Sequence, residues 1–228
     1  RSLHSIDCNR NSFAEVSEGL PDAFTSLIGS ADFASPAGFL QAEAYGTMGP
    51  ILVILVAISM AASGIPGAES SGRMMLLATS SASRRSIALA AALSTTVAIT
   101  LVVAVYWVTT VAGAALGDLD IGVGRLTAAA ISLWLLGMAV GAVAFAVAAA
   151  TGSRGATLGV ASTVAIGSFL AYGLLPLSDD LAWGRRISLW YPYADHEPLV
   201  RGFDGSNAIV LLLLALCGLA VGLWGFER

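Results

Sequence analysis

Residues 86–117 read SIALAAALSTTVAITLVVAVYWVTTVAGAALG, and this run of 32 residues contains no Asp, Glu, Lys, Arg or His. An α-helix rises about 1.5 Å per residue, so about 20 apolar residues cross a hydrocarbon core about 30 Å thick. Four further charge-free runs are also long enough, at residues 44–68, 126–153, 155–178 and 205–226. The sequence therefore predicts an all-α membrane protein, a polytopic helical bundle with five spans in this chain.

The composition agrees with that class and excludes others. The chain is 57% hydrophobic and 11% charged, with a mean hydropathy of +0.81, whereas soluble domains are about 25% charged. The solidly apolar runs 51–62 and 209–216 lack the alternation of a β-barrel strand. All 11 basic residues are arginine, so a phosphate-binding loop ending in Gly-Lys-Ser/Thr is impossible and the chain is not itself a P-loop ATPase.

Polar stretches divide the chain into four parts. Residues 1–46 form an N-terminal segment that leads into a first span at 47–66, and Ser35-Pro36 marks a helix start. Pro50 is expected to bend that helix, and Gly64 begins the stretch that ends it. Residues 67–86 link it to the remainder, 87–226, which holds four further spans and a polar segment at 178–205.

The N-terminal segment carries an apolar stripe with helical spacing. It predicts an amphipathic helix that lies on the membrane surface or packs on protein, and the pattern leaves both open. The stripe consists of Phe13, Val16, Leu20, Phe24, Leu27 and Ile28.

Charge favours one orientation. Arginines divide five to six between the two sides, but only Glu69 and Glu227 of the 15 acidic residues lie on the side of the 67–86 link. The link side also concentrates its arginines in short loops, so we predict that 67–86 and the C-terminus are cytoplasmic, and that 1–46 and 178–205 are extracytoplasmic. Five spans then place Arg1 outside, which predicts a sixth helix, the first of the bundle, upstream of this chain.

The 67–86 link combines apolar and charged residues at helical spacing. Met74, Leu77 and Ala78 would share one face, flanked by Glu69 and Arg73. A short helix of this kind suits docking onto a soluble partner, and an ordinary loop held at the headgroups by its arginines is the alternative.

The same link resembles the cytoplasmic stretch of permease subunits of type-two ATP-binding-cassette exporters. That stretch has Gly/Ala-x-Glu, then a glycine, then Leu-Leu-Ala-Thr and Ser-Arg. Ser80 stands where proline is common, and one extra residue precedes Ser83-Arg84. The segment 35–40 with Glu43, and the C-terminal 222–228, also resemble these permeases. The residues that match in the link are Glu69, Gly72, Leu76, Leu77, Ala78, Thr79, Ser83 and Arg84.

The resemblance implies six spans per subunit, two permease subunits per pore (identical or paralogous) and two cytoplasmic ATPase subunits, which bind ATP and Mg²⁺. The permease would sit in a bacterial plasma membrane and move a drug, lipid or peptide outward, as multidrug efflux systems do. It implies no catalytic residue, cofactor or metal in this chain. The implied ATPase-coupling residues are Glu69, Gly72, Arg73, Met74, Leu76, Leu77 and Arg84.

Other motifs have simpler explanations. The pairs Gly137/Gly141, Gly155/Gly159 and Gly218/Gly222 predict close helix packing within the chain, with a dimer interface as the second interpretation. Trp183, Trp190, Tyr191 and Tyr193 predict an interfacial aromatic belt. Neighbouring helical residues point about 100° apart, so Asp195-His196-Glu197 rarely converges on a metal.

The hydroxyls of the spans are expected to bond carbonyls four residues back. The spans carry no charge, which disfavours an ion-coupled transporter and suits a hydrophobic or amphipathic cargo.

The sequence thus favours a permease subunit that is not an enzyme by itself, with ATP hydrolysis in a partner, contacts with membrane lipid, and no nucleic-acid partner. Two alternatives stay open. An integral-membrane enzyme that modifies lipid would need reactive side chains at helix ends, and only 195–197 offers them. The other alternative is a non-catalytic membrane scaffold or sensor.

Overall fold

The computed structural model of the protein describes residues 36–64, 84–177 and 181–227. These residues form helices and turns, and none of them lies in a β-strand. Five of the helices are long and apolar enough to cross a membrane, which confirms the predicted helical bundle.

The first spanning helix, α1, changes its hydrogen-bonding pattern along its length. It is α-helical over Pro36–Leu40, π-helical over Gln41–Met48, and α-helical again over Gly49–Ser63. In a π-helix each N–H donates to the carbonyl five residues back. The helix ends before Gly64, as the sequence predicts, while Pro50 is the second residue after the π-helical segment.

Four further long helices complete the bundle. They are α2 (Arg84–Leu116), α3 (Val123–Thr151), α4 (Arg154–Leu174) and, after two short helices, α7 (Gly205–Glu227). Gly152, in the left-handed conformation, ends α3, and the Ser153 side chain caps α4 by accepting from the Ala156 N–H at 3.3 Å. Both features suit the two-residue connection between these helices.

The centre of the bundle is α3. It contacts α1, α2, α4 and α7, and 56% of its most apolar window is buried, against 17% for α7. Small residues allow this close packing: a Cβ added at Gly218 of α7 would lie 2.9 Å from the Cβ of Ala142. A Cβ at Gly222 would lie 2.5 Å from Phe145.

The glycine pairs therefore differ in role. Gly137 lies close to Val53 and Ile99. The pairs Gly137/Gly141 and Gly218/Gly222 therefore pack within the chain, as predicted. A Cβ added at Gly155 or Gly159 would meet no described atom within 4 Å. The third pair therefore lies on an open face of α4.

The outer surface of the bundle is apolar. Along α2, exposed leucines and valines recur at every third or fourth position, and α7 exposes a similar set. Water-soluble monomers rarely expose contiguous apolar patches above a few hundred Å². This surface therefore suits surrounding lipid. The exposed set on α2 is Leu89, Leu93, Val97, Leu101, Val105 and Val108.

Residues 181–204 fold over one end of the bundle, and we call them the cap. The cap contains a 3₁₀-helix, Ala182–Ile187, and two short α-helices, α5 (Tyr191–Ala194) and α6 (Pro198–Arg201). A second 3₁₀-helix, Leu175–Leu177, extends α4 toward it.

The predicted aromatic belt is wrong for two of its four members. Trp190 is 6% exposed and Tyr193 is 2% exposed, so both lie in the hydrophobic core. They stack edge-on with ring centroids 6.0 Å apart, and Trp190 also packs against Phe169 of α4. Burial in the bundle is favoured over the membrane–water interface here because both rings pack against other aromatic rings and the Tyr193 hydroxyl has a hydrogen-bond acceptor. Trp183, in contrast, is 65% exposed.

Candidate functional site

Most of the predicted ATPase-coupling residues lie outside the described residues. This applies to Glu69, Gly72, Arg73, Met74, Leu76 and Leu77. Arg84 is the first residue of α2. The structure therefore fixes the two helix ends that the link joins.

The end of α1 packs on α2 near the start of that helix. Gly64, the last residue described before 65–83, lies against α2 about two turns after Arg84: a Cβ added at Gly64 would lie 3.1 Å from the Cβ of Ala91. The helices α1 and α2 pack along one another beyond this point. A displacement of the link would consequently act on two helices that already touch.

At its other end, α1 is attached to the cap through a backbone carbonyl. The Gly49 N–H donates to Ala44 O, five residues back. The same pattern would pair the next N–H with the carbonyl of Tyr45, but residue 50 is a proline and has no N–H. The Tyr193 hydroxyl donates to that Tyr45 carbonyl instead. A cap side chain thus satisfies a group that the π-helical segment and Pro50 leave without a helical partner.

Three further hydrogen bonds hold the π-helical segment. The Tyr106 hydroxyl of α2 donates to Ala44 O at 2.6 Å, and the hydroxyls of Tyr45 and Thr110 lie 3.0 Å apart. The buried Gln41 accepts from the Leu199 N–H of α6 at 3.0 Å. The segment is therefore bonded to both α2 and the cap.

Arg185 ties the cap to α4. Its guanidinium donates to the Tyr172 hydroxyl at 2.7 Å and to Asp195 at 2.8 Å, and it lies 4.4 Å from the centre of the Tyr172 ring. Nearby, the Ser188 hydroxyl donates to Ser168 O at 2.6 Å. These contacts fix the 3₁₀-helix on the end of α4.

The three consecutive residues of the Asp195-His196-Glu197 motif contact different partners. Asp195 pairs with Arg185, His196 Nδ1 lies 3.8 Å from Asp204, and Glu197 Oε2 lies 3.8 Å from Arg201. Within the described ranges, no three His, Cys, Asp or Glu residues are grouped to hold a metal ion. The separate partners in the ion pairs show that the three side chains diverge, as expected of consecutive residues.

Two cap groups have shifted pKa values. Complete burial raises the pKa of the Tyr193 phenol well above its usual range, so the hydroxyl stays a donor to Tyr45. The Ser206 hydroxyl and N–H both bond the Asp204 carboxylate, at 2.7 Å and 2.9 Å, and they lower the pKa of Asp204. Asp204 thereby caps the start of α7.

The hydroxyls inside the spans mostly bond their own helix. Thr95, Thr96 and Thr163 each donate to the carbonyl four residues back, which confirms the expected pattern. Thr100 and Thr127 additionally accept from indole N–H groups, Trp134 at 2.9 Å and Trp107 at 3.1 Å. These two bonds join α2 to α3.

Sequence reasoning missed the junction between α1 and the cap. Pro50 suggested a bend, yet nothing in the pattern of Gln41–Met48 marks a π-helix. The signal that existed was Gly49-Pro50: a side chain at 49 would lie 2.8 Å from Ala44 O, and residue 50 withholds a donor. The partner Tyr193 is 148 residues from Tyr45, and its role could not be read locally.

A comparison of this chain with protein-family models, curated proteins and solved structures finds no match.

Proposed function

We propose that this chain is the transmembrane permease subunit of an ATP-driven exporter, with the 67–86 link as the element that receives motion from a cytoplasmic ATPase subunit. The proposed cargo is a hydrophobic or amphipathic molecule, and the proposed pore contains a second permease subunit, identical or paralogous. The membrane is proposed to be a bacterial plasma membrane, with the link and the C-terminus cytoplasmic.

The observation that carries the proposal is the position of α1. This helix ends at Ser63, and Gly64 after it lies beside Ala91 of α2, while the other end of the helix is bonded to the cap through Tyr45 and Gln41. A continuous helix between a docking segment and the opposite end of the bundle suits the transmission of motion across a membrane.

The charge-free runs within the spans support the choice of cargo, and Glu43 precedes the first of them as an exposed residue of the π-helical segment of α1. Between Ala44 and Ser63, and within the described parts of the other four runs, no Asp, Glu, Lys, Arg or His is present. A coupling ion or proton would need an intramembrane ionisable side chain. The energy source is therefore assigned to ATP hydrolysis in the partner, which this lysine-free chain cannot perform through a P-loop.

In the proposed mechanism the partner ATPases close on ATP and push the link toward the membrane. The link moves the adjacent ends of α1 and α2 together, because they are packed at Gly64 and Ala91. At the other end, the bonds from Tyr193 and Gln41 pass the displacement of α1 to the cap. Movement of the cap then opens the pathway on the far side.

The test is co-purification and transport. The full-length protein, isolated from its host in mild detergent, is expected to bring a soluble ATPase with a phosphate-binding loop. Reconstituted together in vesicles, the two are expected to move a hydrophobic dye only with ATP. Replacing Glu69→Gln with Leu77→Ala should weaken partner binding about tenfold or more, since truncating a central apolar contact costs about 2 kcal/mol.

The neighbouring Ser70→Ala is the matched control and should retain the partner. Nucleotide-independent turnover of a lipid by the purified chain would contradict the proposal and favour a lipid-modifying enzyme. Full partner binding by the Glu69→Gln, Leu77→Ala protein would contradict the role of the link alone.

A further inference from the structure

The 3₁₀-helix of the cap, Ala182–Ile187, runs alongside α4 toward the middle of the bundle. Near its start, a Cβ added at Gly184 would lie 2.8 Å from the Cδ1 of Leu175, the residue that follows α4. Directly after its end, the Ser188 hydroxyl donates to Ser168 O at 2.6 Å. Ser168 precedes Leu175 by seven residues, so the cap chain passes along α4 by about 10 Å between the two contacts.

The second contact lies well inside the apolar part of α4. Together with its 3₁₀ extension, α4 forms a stretch of 24 residues, Arg154–Leu177, that is long and apolar enough to cross a membrane. That stretch measures about 36 Å, so it extends only about 3 Å beyond each side of a hydrocarbon core about 30 Å thick. Ser168 is nine residues, or about 14 Å, from the cap-side end of the stretch. Ser188, bonded to it, therefore lies about 10 Å inside the core.

The residues that follow reach a similar depth. Trp190 packs against Phe169 of α4 with ring centroids 5.0 Å apart, and the Tyr193 hydroxyl donates to Tyr45 O of α1. Tyr45 is eight residues from the cap-side end of the first spanning stretch, Ala37–Ser63. Two different spanning helices therefore place this part of the cap between them, below their ends.

The turn after the 3₁₀-helix satisfies its own backbone. The Trp190 N–H donates to the Ser188 hydroxyl at 3.0 Å, and the Tyr191 N–H donates to Ser188 O at 3.2 Å. The Ala194 N–H donates to Trp190 O at 2.9 Å. Backbone outside a spanning helix is tolerated at membrane depth where its polar groups are paired and it is buried in protein. This turn meets both conditions, since Ser188 and Trp190 are buried.

The outward side of the 3₁₀-helix is apolar and continues the exposed surface of α4. Ile187 is 72% exposed, and it lies beside α4 next to Ser188. On α4, Ile166 and Leu170 are exposed at the same height. An apolar side chain exposed at this depth faces the acyl chains that surround α4. Trp183, near the start of the 3₁₀-helix, lies at the end of α4, where an indole suits the headgroup layer.

The two arginines of the 3₁₀-helix are compatible with this depth. Arg185 donates to the Tyr172 hydroxyl at 2.7 Å and to the Asp195 carboxylate at 2.8 Å, so its charge is paired within the protein. Ionisable side chains inside membranes pair in this way. Arg186 is exposed, and a long arginine side chain extends its charged group to the headgroups while its stem stays among apolar groups.

We propose that residues 183–193 form a re-entrant segment, which enters the hydrocarbon core from the cap side, with Ile187 against lipid acyl chains and Trp183 at the headgroups. The chain returns to the same side, because α7 begins there at Gly205. The partner of this surface is the membrane leaflet on the cap side. The proposal does not rest on the exporter function, and requires only that the bundle spans a membrane.

Spin labels measure the depth. The full-length protein with Cys8→Ser and Cys217→Ser is reconstituted in phosphatidylcholine vesicles and carries one nitroxide, at Ile187→Cys. Power saturation gives its collisions with oxygen, which concentrates in hydrocarbon, and with a water-soluble nickel complex. Leu170→Cys, exposed on α4, is the lipid control, and Asp120→Cys, exposed in the turn at the same end, is the aqueous control. We expect the oxygen-to-nickel ratio at Ile187 to match that at Leu170 and to exceed that at Asp120 several-fold.

A label at Ile187 that meets nickel as often as the label at Asp120 would overturn the proposal, because the 3₁₀-helix would then lie in water. Few collisions with either reagent would also overturn it, since residues 1–35 or a second copy of the chain would then cover this surface.

Thermal unfolding identifies a cysteine variant that does not fold, and fluorescence supplies a second measurement without cysteines. The signal of Trp183 is the difference between the unaltered protein and Trp183→Phe, an exposed substitution. We expect phospholipids brominated near the headgroup to quench it more than phospholipids brominated near the chain end. Absence of quenching by both lipids would contradict the proposal.

Discussion

At the scale of single residues, Pro50 determines how α1 is held. Its missing N–H leaves the Tyr45 carbonyl without a helical donor, and burial makes such an orphan expensive. Tyr193 supplies the donor from the cap, and its raised pKa keeps it protonated. A proline that weakens a helix locally thus creates a specific attachment point for a segment far along the chain.

We expect Tyr193→Phe to destabilise the protein by about 1–3 kcal/mol, because the buried Tyr45 carbonyl would lose its donor while the ring packing stays. The measurement is the free energy of unfolding in detergent, followed by tryptophan fluorescence. Tyr191→Phe, a neighbour whose hydroxyl forms no hydrogen bond within the described residues, is the control and should change little.

A double-mutant cycle with Pro50→Ala tests the cause. Alanine restores an N–H at residue 50, which can continue the pattern set by the Gly49 N–H and reach the Tyr45 carbonyl. Tyr193→Phe should then cost about 1 kcal/mol less than it does beside proline. Equal costs in both backgrounds would show that the carbonyl is not what Tyr193 serves.

Asp204 gives a pH-dependent prediction. Its hydrogen bonds from Ser206 lower the pKa, so the folded state favours the ionised form. This stabilisation is present above the ordinary pKa of 3.8 and is lost as pH falls through the lowered value. Between about pH 6 and about pH 3, the unfolding temperature of Asp204→Asn should therefore fall less than that of the unaltered protein. Asp120→Asn serves as the control. If the unfolding temperature of Asp204→Asn fell by as much as that of the unaltered protein, the prediction would be refuted.

At the scale of helices, the composition of the sequence predicts the existence and the number of the long apolar helices. It predicts the internal geometry of those helices less well. Each of the five charge-free runs corresponds to a helix long and apolar enough to cross a membrane, as expected because apolar segments in lipid must satisfy their backbone within the helix. The structure extends α2 to Arg84 and α1 to Pro36, where polar residues continue the helix beyond the apolar run. The π-helical segment and the buried cap depend on tertiary contacts, which the pattern along the chain does not contain.

Gly218 is predicted to be intolerant of larger residues. A Cβ there would lie 2.9 Å from the Cβ of Ala142 and 3.0 Å from its carbonyl carbon, so backbone would have to move. Gly218→Val should destabilise the bundle by about 1–3 kcal/mol. Gly159→Val carries the same propensity change on an open face and should be tolerated, and thermal unfolding in detergent compares the two.

At the scale of the whole molecule, alternation of the five spans places the 117–122 turn and the cap at one end. The two-residue α3–α4 connection, the end of α1 and the start of α2 lie at the other. The acidic residues gather on the cap side, and this is the basis for predicting that the link side is cytoplasmic.

Cysteine labelling measures that orientation. In a protein with Cys8→Ser and Cys217→Ser, we expect a membrane-impermeant maleimide to label Asp120→Cys on intact cells. We expect Thr151→Cys to react only after permeabilisation. Both positions are exposed in the structure. The reverse result would invert the topology, and labelling of both from outside would show that α3 does not cross.

The candidate site was predictable only in part. The 67–86 link stands out in the sequence because its residues combine apolar and charged groups between two charge-free runs. The junction between α1 and the cap did not, because it joins Tyr45 to Tyr193, 148 residues further along the chain. Such a contact is a property of the packing and has no local sequence pattern.

The length of α2 has a consequence for the surrounding bilayer. Its 33 residues measure about 50 Å, against about 35 Å for the 23 residues of the adjacent α7. Even at a tilt of about 40°, the upper end of the observed range, α2 would cover about 38 Å along the membrane normal. This hydrophobic mismatch stretches the lipid beside α2 or lifts apolar turns into the headgroup layer, at a cost of fractions of a kcal/mol per Å. Bilayer thickness, set by acyl-chain length, therefore influences the tilt of α2 and the conformation of the bundle around it.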